Sequence, residues 1–274
     1  MTLRVAYTPD SDDAYNFYAW EFDRVRLPDP RYRVMFERDH IIALNRAAMQ
    51  ETFDVVSVSS VAYPALAGAY RILASGNSIG RGYGPVMVSR HHRTLAELRG
   101  KRVAVAGRLT TGGALAMMYC EGAQFVEMTY DRIADAIVRG ECDAGVMIHE
   151  ELLYFPEKGL HAIADLGRVW CQETGLPLPV GLNLVRRALG SEMARQIAAT
   201  CQRSLRWAQE HDAEAFAYAS GFGRGCARKH IELFSNADTL CAPEDARAAM
   251  RLMFQRVADL GLASGPCECE VVDA

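Results

Sequence analysis

Apolar residues along this chain gather into short blocks, and most blocks stop abruptly at small polar residues. Residues 144–148, Ala-Gly-Val-Met-Ile, form one such block, with Asp143 before it and His149-Glu150 after it. A short, unbroken apolar run predicts a strand buried on both faces, as in a sheet covered by helices. Residues 53–58 read as another buried strand, residues 3–7 alternate like a first strand, and further strands are expected at residues 33–36, 70–74, 102–106 and 125–128. Helical spacing fills the gaps: residues 14–21, residues 41–49 with Ile41, Leu44 and Ala48 on one face, a stretch through Met118, and residues 131–139. Alternation of strand and helix is the mark of a parallel sheet, so the fold class is α/β.

Two stretches break the rhythm. Residues 75–92, SGNSIGRGYGPVMVSRHH, are rich in glycine ahead of Pro85 but match neither the Walker nor the dinucleotide pattern. They read as a crossing between two lobes, and GLPLPVGLNLVRRAL, with Pro177 and Pro179, as the return. Lobe 1 is then residues 1–88 plus 187–274 and lobe 2 is residues 89–186, with crossings near 85–92 and 177–187. From Ser191 the chain is helical: one long amphipathic segment to His211, shorter helices, and a last helix opened by Pro243-Glu244 and stopped at Gly261. The cleft between two such lobes is the default ligand site.

Composition narrows the function. At 274 residues with 50% hydrophobic and 23% charged positions, the chain is long enough for a substantial core and ordinary for a soluble globular protein. A formal charge of -4 with scattered basic residues gives no nucleic-acid footprint. No apolar run nears the roughly 20 residues of a membrane span. The N-terminus has no secretory pattern, and the eight cysteines lack metal-ligand spacing apart from Cys267-Glu268-Cys269. The expectation is a cytoplasmic protein with reduced thiols, no metal and no cofactor, and with Cys267 and Cys269 on a frayed, exposed tail.

Three strand-to-helix turns carry small polar residues: residues 10–13, 57–60 and 109–113. Each offers backbone N–H groups at a helix start, where the dipole favours negative charge. Taken singly, each is what any helix cap needs. If the lobes face each other, the turns converge on His149, a histidine at a strand's carboxyl end and hence a candidate general base. Ser59, Ser60, Thr110 and Thr111 would then hold a ligand's carboxylate or hydroxyls. Three carboxylates in the first turn would repel an anion unless they cap, point away or share protons. At most one is expected to face the cleft, and that one is Asp13; Glu150 is expected to face solvent.

These segments together resemble a known family. The TPDSDDAYNF turn, ALNRAAM, FDVVSVSSVAYPAL, ILASGNSIGRGYGPVMVS, VAVAGRLTTGGAL, DAGVMIHE and GLPLPVGLNLVRR look like the 1,4-dihydroxy-6-naphthoate synthases of the futalosine route to menaquinone, over Thr8 to about Leu189. That family is similar in fold to type II periplasmic solute-binding proteins. The resemblance implies conversion of cyclic dehypoxanthinylfutalosine to the naphthoate with release of a small sugar fragment, with His149 as proton acceptor. It also implies Ser59, Ser60, Thr110, Thr111 and Asn183 against the substrate. In the family's Ser-Pro-Cys-Pro-Asn-Asp-Thr-Phe turn, this chain has Asp10 for Cys, Ser11 for Pro, Asp12 for Asn and Ala14 for Thr, while Asp13 is kept. Glu151 replaces the glycine after His-Glu. The expected partner is a small polar organic acid, with a homodimer left open. The rival readings are a cytosolic solute-binding or sensor protein of the same shape without chemistry, and a chorismate dehydratase, which the His-Glu pair disfavours.

Overall fold

The computed structural model describes residues 1–222, 227–265 and 267–274. Among these residues, twelve strands form two sheets. The first holds β1 (Thr2–Tyr7), β2 (Arg33–Arg38), β3 (Val55–Ser59), β4 (Tyr70–Leu73) and β5 (Ser78–Gly80), joined late in the chain by β11 (Leu178–Arg186) and β12 (Val271–Val272). The second is built from β6 (Val86–Ser89), β7 (Arg102–Val105), β8 (Gln124–Glu127), β9 (Ala144–Met147) and β10 (His161–Asp165).

Both sheets are mixed rather than parallel. In the second, β9, β7 and β8 lie parallel, as the strand–helix alternation predicts, but β6 runs antiparallel to both β9 and β10. In the first, the order is β12-β4-β11-β3-β1-β2, and β11 is antiparallel to β3, β4 and β5. The antiparallel strands are those formed where the chain passes between sheets, a reversal that a residue-by-residue hydrophobic pattern does not encode. Nine residues long, β11 ties β5 at its start to β4 at its end.

The two strands predicted as buried, β3 and β9, are so at every residue, as are β4 and β6, while β2 and β8 are part-exposed. One apolar core runs through both sheets, from Val56, Leu184 and Phe254 to Leu115, Ile133 and Met147. A second core covers the other face of the first sheet. There Leu3 and Val5 meet Tyr15, Phe17 and Trp20 of the helix Ser11–Glu21, and Ile197 and Leu205 of the long helix Gly190–Glu210. The C-terminal helices thus brace the element that starts at Ser11.

The tail departs from expectation. Cys267 and Cys269 are partly buried and lead into β12, whose parallel pairing with β4 extends the first sheet. Sheet pairing of only two residues holds them in place, too short a signal to read from sequence. Seven cysteines are free among the described residues, and Cys226 lies outside them. No helix among the described residues is long and apolar enough to cross a membrane.

Candidate active site

The carboxyl ends of β1, β3, β7 and β9 open onto one cleft, which takes in about 710 Å3 of space between its walls, part of it open solvent. Thr8, Asp10, Asp12, Asp13, Ser57, Ser59, Thr110, Thr111, His149, Asn183 and His230 stand among the lining residues, beside the apolar Ile41, Ile148, Leu152 and Phe234. The turns after β1, β3 and β7 do converge on His149.

His149 follows β9 by two residues and has a φ of +51°, in the left-handed region that non-glycine residues seldom occupy. Its Nδ1 lies 2.7 Å from Asp10 Oδ2. With Nδ1–H donated to Asp10, Nε2 is left as the nitrogen that takes a proton. The Tyr130 ring stands edge-on to the imidazole, 4.9 Å between centroids. Burial pulls the His149 pKa down, but the hydrogen bond and charge of Asp10, helped by Glu150, outweigh it and hold it above its ordinary value.

The acidic turn is arranged differently from the expectation. Asp10, Asp12 and Asp13 all line the cleft, rather than Asp13 alone. Asp10 serves His149 and also accepts from Thr8 Oγ1 at 2.8 Å. Asp12 lies 3.2 Å from His230 Nε2. Asp13 is turned back on its own strand, its Oδ2 accepting from Thr8 N at 3.0 Å and lying 2.7 Å from Thr8 Oγ1, whose one proton goes to Asp10. Burial, then the charges of Asp10 and Asp12, keep Asp13 protonated well above the usual carboxylate range. The His230 imidazolium beside Asp12 and the proton held on Asp13 lessen the repulsion that the sequence predicts for an anionic ligand.

His230, on the helix Ala227–Phe234, is the site residue that sequence reasoning misses. It sits in ARKHIELF between charged neighbours and reads as part of a solvated face. In the fold its side chain is only 3% exposed, against 16% for His149, so His149 is the imidazole open to a ligand. Burial lowers the His230 pKa, yet Asp12, Glu150 and Asp10 together raise it to about 9. The raised value gives a testable sign. A histidine titrating near 6.5 when unfolded and 9 when folded stabilises the fold fully below pH 6.5, and that contribution is lost as pH climbs through 9. Unfolding free energy should therefore fall between pH 6.5 and 9, by up to on the order of 3 kcal/mol, and His230→Gln should flatten the curve in chemical denaturation.

Asp10, Asp12 and His230 also offer ligand atoms within 4.8 Å of one another, the spacing of a candidate cation site among the described residues. Here the His230 imidazolium supplies the positive charge that a cation would bring.

The hydroxyl-bearing turns divide between lining and scaffolding. Ser59 lines the cleft and is steadied by Asn45, whose Oδ1 accepts from Ser59 N at 3.0 Å while its Nδ2 donates to Leu109 O at 3.0 Å in the other lobe. Asn45 is the one polar residue on the apolar face of its helix, a signal that sequence reading could have used. Ser60 is fully buried and outside the cleft wall, donating to Pro179 O at 2.6 Å. A short helical turn beginning at Ser60 rotates its side chain inward. Thr110 caps its helix, accepting from Gly113 N at 3.1 Å and donating to Gly107 O at 2.6 Å. Thr111 donates to Val180 O at 2.6 Å. With both hydroxyls engaged, the helix start Thr111–Gly112 presents its N–H groups to a ligand. Asn183 lines the cleft as a brace, joined to Ser57 Oγ at 2.5 Å, Asn77 Oδ1 at 2.9 Å and Gly76 O at 3.0 Å.

The turn after β7 depends on close backbone approach. A Cβ on Gly113 would lie 2.0 Å from Gly107 O. Gly113→Ala should therefore cost about 1–3 kcal/mol of stability, read as a lowered Tm.

Glu150, expected in solvent, is buried. Its Oε1 accepts from Ser11 N at 2.9 Å and Ser11 Oγ at 2.7 Å. The left-handed bend at His149 turns both side chains toward the first lobe, where regular extended chain would send them to opposite sides. Glu150 thereby fills one of the three helix starts that the sequence offers to a ligand.

A family model described as menaquinone biosynthesis matches residues 3–259. A Thermus thermophilus protein named 1,4-dihydroxy-6-naphtoate synthase is 35% identical over 266 residues, 96% of this chain and 96% of that one. Among solved structures, protein AF1704 from Archaeoglobus fulgidus superposes with a TM-score of 0.89 at 37% identity, over 95% of this chain and 98% of that one. The alkanesulfonate-binding protein of Xanthomonas axonopodis pv. citri superposes with a TM-score of 0.72 at 12% identity, over 99% and 96%. The latter shows the fold, a periplasmic-binding-protein fold, as the two-lobed reading predicts. On the strength of the family model and the Thermus relative, the chain belongs to the menaquinone biosynthesis family.

Proposed function

We propose that this protein is a 1,4-dihydroxy-6-naphthoate synthase, a lyase of menaquinone biosynthesis acting on cyclic dehypoxanthinylfutalosine, with His149 as the proton acceptor. The observation that carries the reading is the Asp10–His149 pair at the mouth of a strand, facing a cleft of suitable size. A neutral imidazole takes the proton at Nε2, and the Asp10 carboxylate stabilises the imidazolium that results. The helix start at Thr111–Gly112, with Ser59 opposite, anchors the substrate's carboxylate. The apolar walls at Ile41, Ile148, Leu152 and Phe234 suit an aromatic ring and keep water from the reacting atoms. Asp13, Thr110 and Asn183 line the cleft with their polar atoms engaged by protein partners, and Ser60 acts from behind this surface.

In this reading residues 1–88 with 187–274 form one moving body and residues 89–186 the other, and the enzyme works in the cytoplasm. The test is incubation of the purified protein with cyclic dehypoxanthinylfutalosine and chromatography for the naphthoate. Product formed in proportion to enzyme supports the assignment. Binding of the substrate without turnover would favour a solute-binding or sensor role.

A further inference from the structure

We propose that Glu150 is a positioning residue: by capping the helix Ser11–Glu21 from the opposite lobe, it seats His149 on Asp10 as the cleft closes. The inference rests on His149 being the base and adds the device that sets it in place.

The argument begins at the helix. Asp10 is its N-cap residue and carries the side-chain type that normally caps, yet it makes no side-chain cap bond. Its carboxylate is spent on His149 and Thr8 instead. A helix start buried without a cap leaves N–H groups unpaired, which is costly. The missing acceptor comes from a residue 139 positions away, Glu150, whose Oε1 takes both the N–H and the hydroxyl of Ser11. A carboxylate at that end also suits the helix dipole.

Sequence adjacency does the rest. Asp10 meets His149 and Ser11 meets Glu150, so consecutive residues of one lobe register against consecutive residues of the other. The unusual backbone at His149 lets both side chains point the same way. Docking of Glu150 therefore fixes the distance and orientation of the imidazole relative to Asp10. With the lobes apart, the helix lacks its cap and the histidine lacks its partner at once.

Steady-state kinetics with cyclic dehypoxanthinylfutalosine test this in four variants. Glu150→Gln keeps an acceptor of the same reach and should stay within about threefold of wild-type kcat. Glu150→Asp withdraws the carboxylate by one methylene and should lose about 10- to 100-fold in kcat, as should Glu150→Ala; the aspartate variant serves if the alanine variant fails to fold. In an Asp10→Asn background, Glu150→Asp should cost less than about threefold, because the partner it positions against is already altered. A purely structural role would instead lower Tm, leave kcat per folded molecule unchanged, and so overturn the proposal. An undiminished loss in the Asp10→Asn background would also overturn it. If His149→Ala itself keeps full activity, the base assignment fails rather than the positioning step alone.

Discussion

Replacing His149 by alanine should lower kcat by about 10²–10⁴-fold, the contribution of a positioned general base. Substrate affinity should change little, because the anchoring groups at Thr111–Gly112 and Ser59 are untouched. The fold should also survive. His149 packs at the cleft surface against the Tyr130 ring, and its left-handed backbone is a conformation that costs on the order of 1–3 kcal/mol to hold. A wild-type KM with a collapsed kcat is the signature to look for, in a variant whose thermal unfolding stays cooperative. Glycine at the same position should be equally inactive yet more stable, because the strain is relieved.

Asp10→Asn should be the next most damaging change, with kcat falling by about 10²–10⁴-fold while the histidine is still present. The amide is the same size but cannot stabilise an imidazolium by charge. The pH profile separates this effect from simple misfolding. In the wild type, Asp10 lifts the His149 pKa against the pull of burial, so the acid limb of kcat/KM should have its midpoint above 6.5. Activity then rises with pH as the imidazole loses its proton. Removing the Asp10 charge leaves burial, opposed only by the weaker influence of Glu150, and His230 pushes the same way as burial. The limb should move to lower pH in the variant even as its plateau falls. A limb that stays in place would mean that Asp10 does not act on His149.

The wild-type device has a cost that fits its chemistry. A raised histidine pKa makes a stronger base once deprotonated but leaves a smaller neutral fraction at neutral pH. The paired His230–Asp12 limits the rise, because its imidazolium opposes protonation of His149. One turn, Thr8 to Asp13, thus sets Asp10 against one imidazole and Asp12 against the other.

Much of this was legible in the residue pattern. The unbroken apolar run at residues 144–148 places a strand and puts His149 at its tip, because no partly exposed strand tolerates so many apolar residues in succession. The turns after β1, β3 and β7 were legible from their small polar residues, which helix starts need whatever else they do. Side-chain direction was not. Ser59 and Ser60 are neighbours, yet one lines the cleft and the other is locked to Pro179 O, since a 3-10 turn begins at Ser60 and rotates each residue by about 120°. Glu150 reads as exposed because a charged residue just past an apolar run ordinarily faces solvent, and the bend at His149 that turns it inward leaves no mark in the pattern. His230 stayed hidden because a charged helix face reads as solvated, and its burial depends on contacts with a turn more than two hundred residues earlier.

The central claim is that the imidazole held by Asp10 removes a proton from the substrate in this cleft. A single-turnover reaction, with enzyme in excess over cyclic dehypoxanthinylfutalosine, tests it without interference from product release. The naphthoate should form in one phase with wild-type protein, and more slowly by at least about 10²-fold with His149→Ala. Equal single-turnover rates for the two proteins would contradict the account.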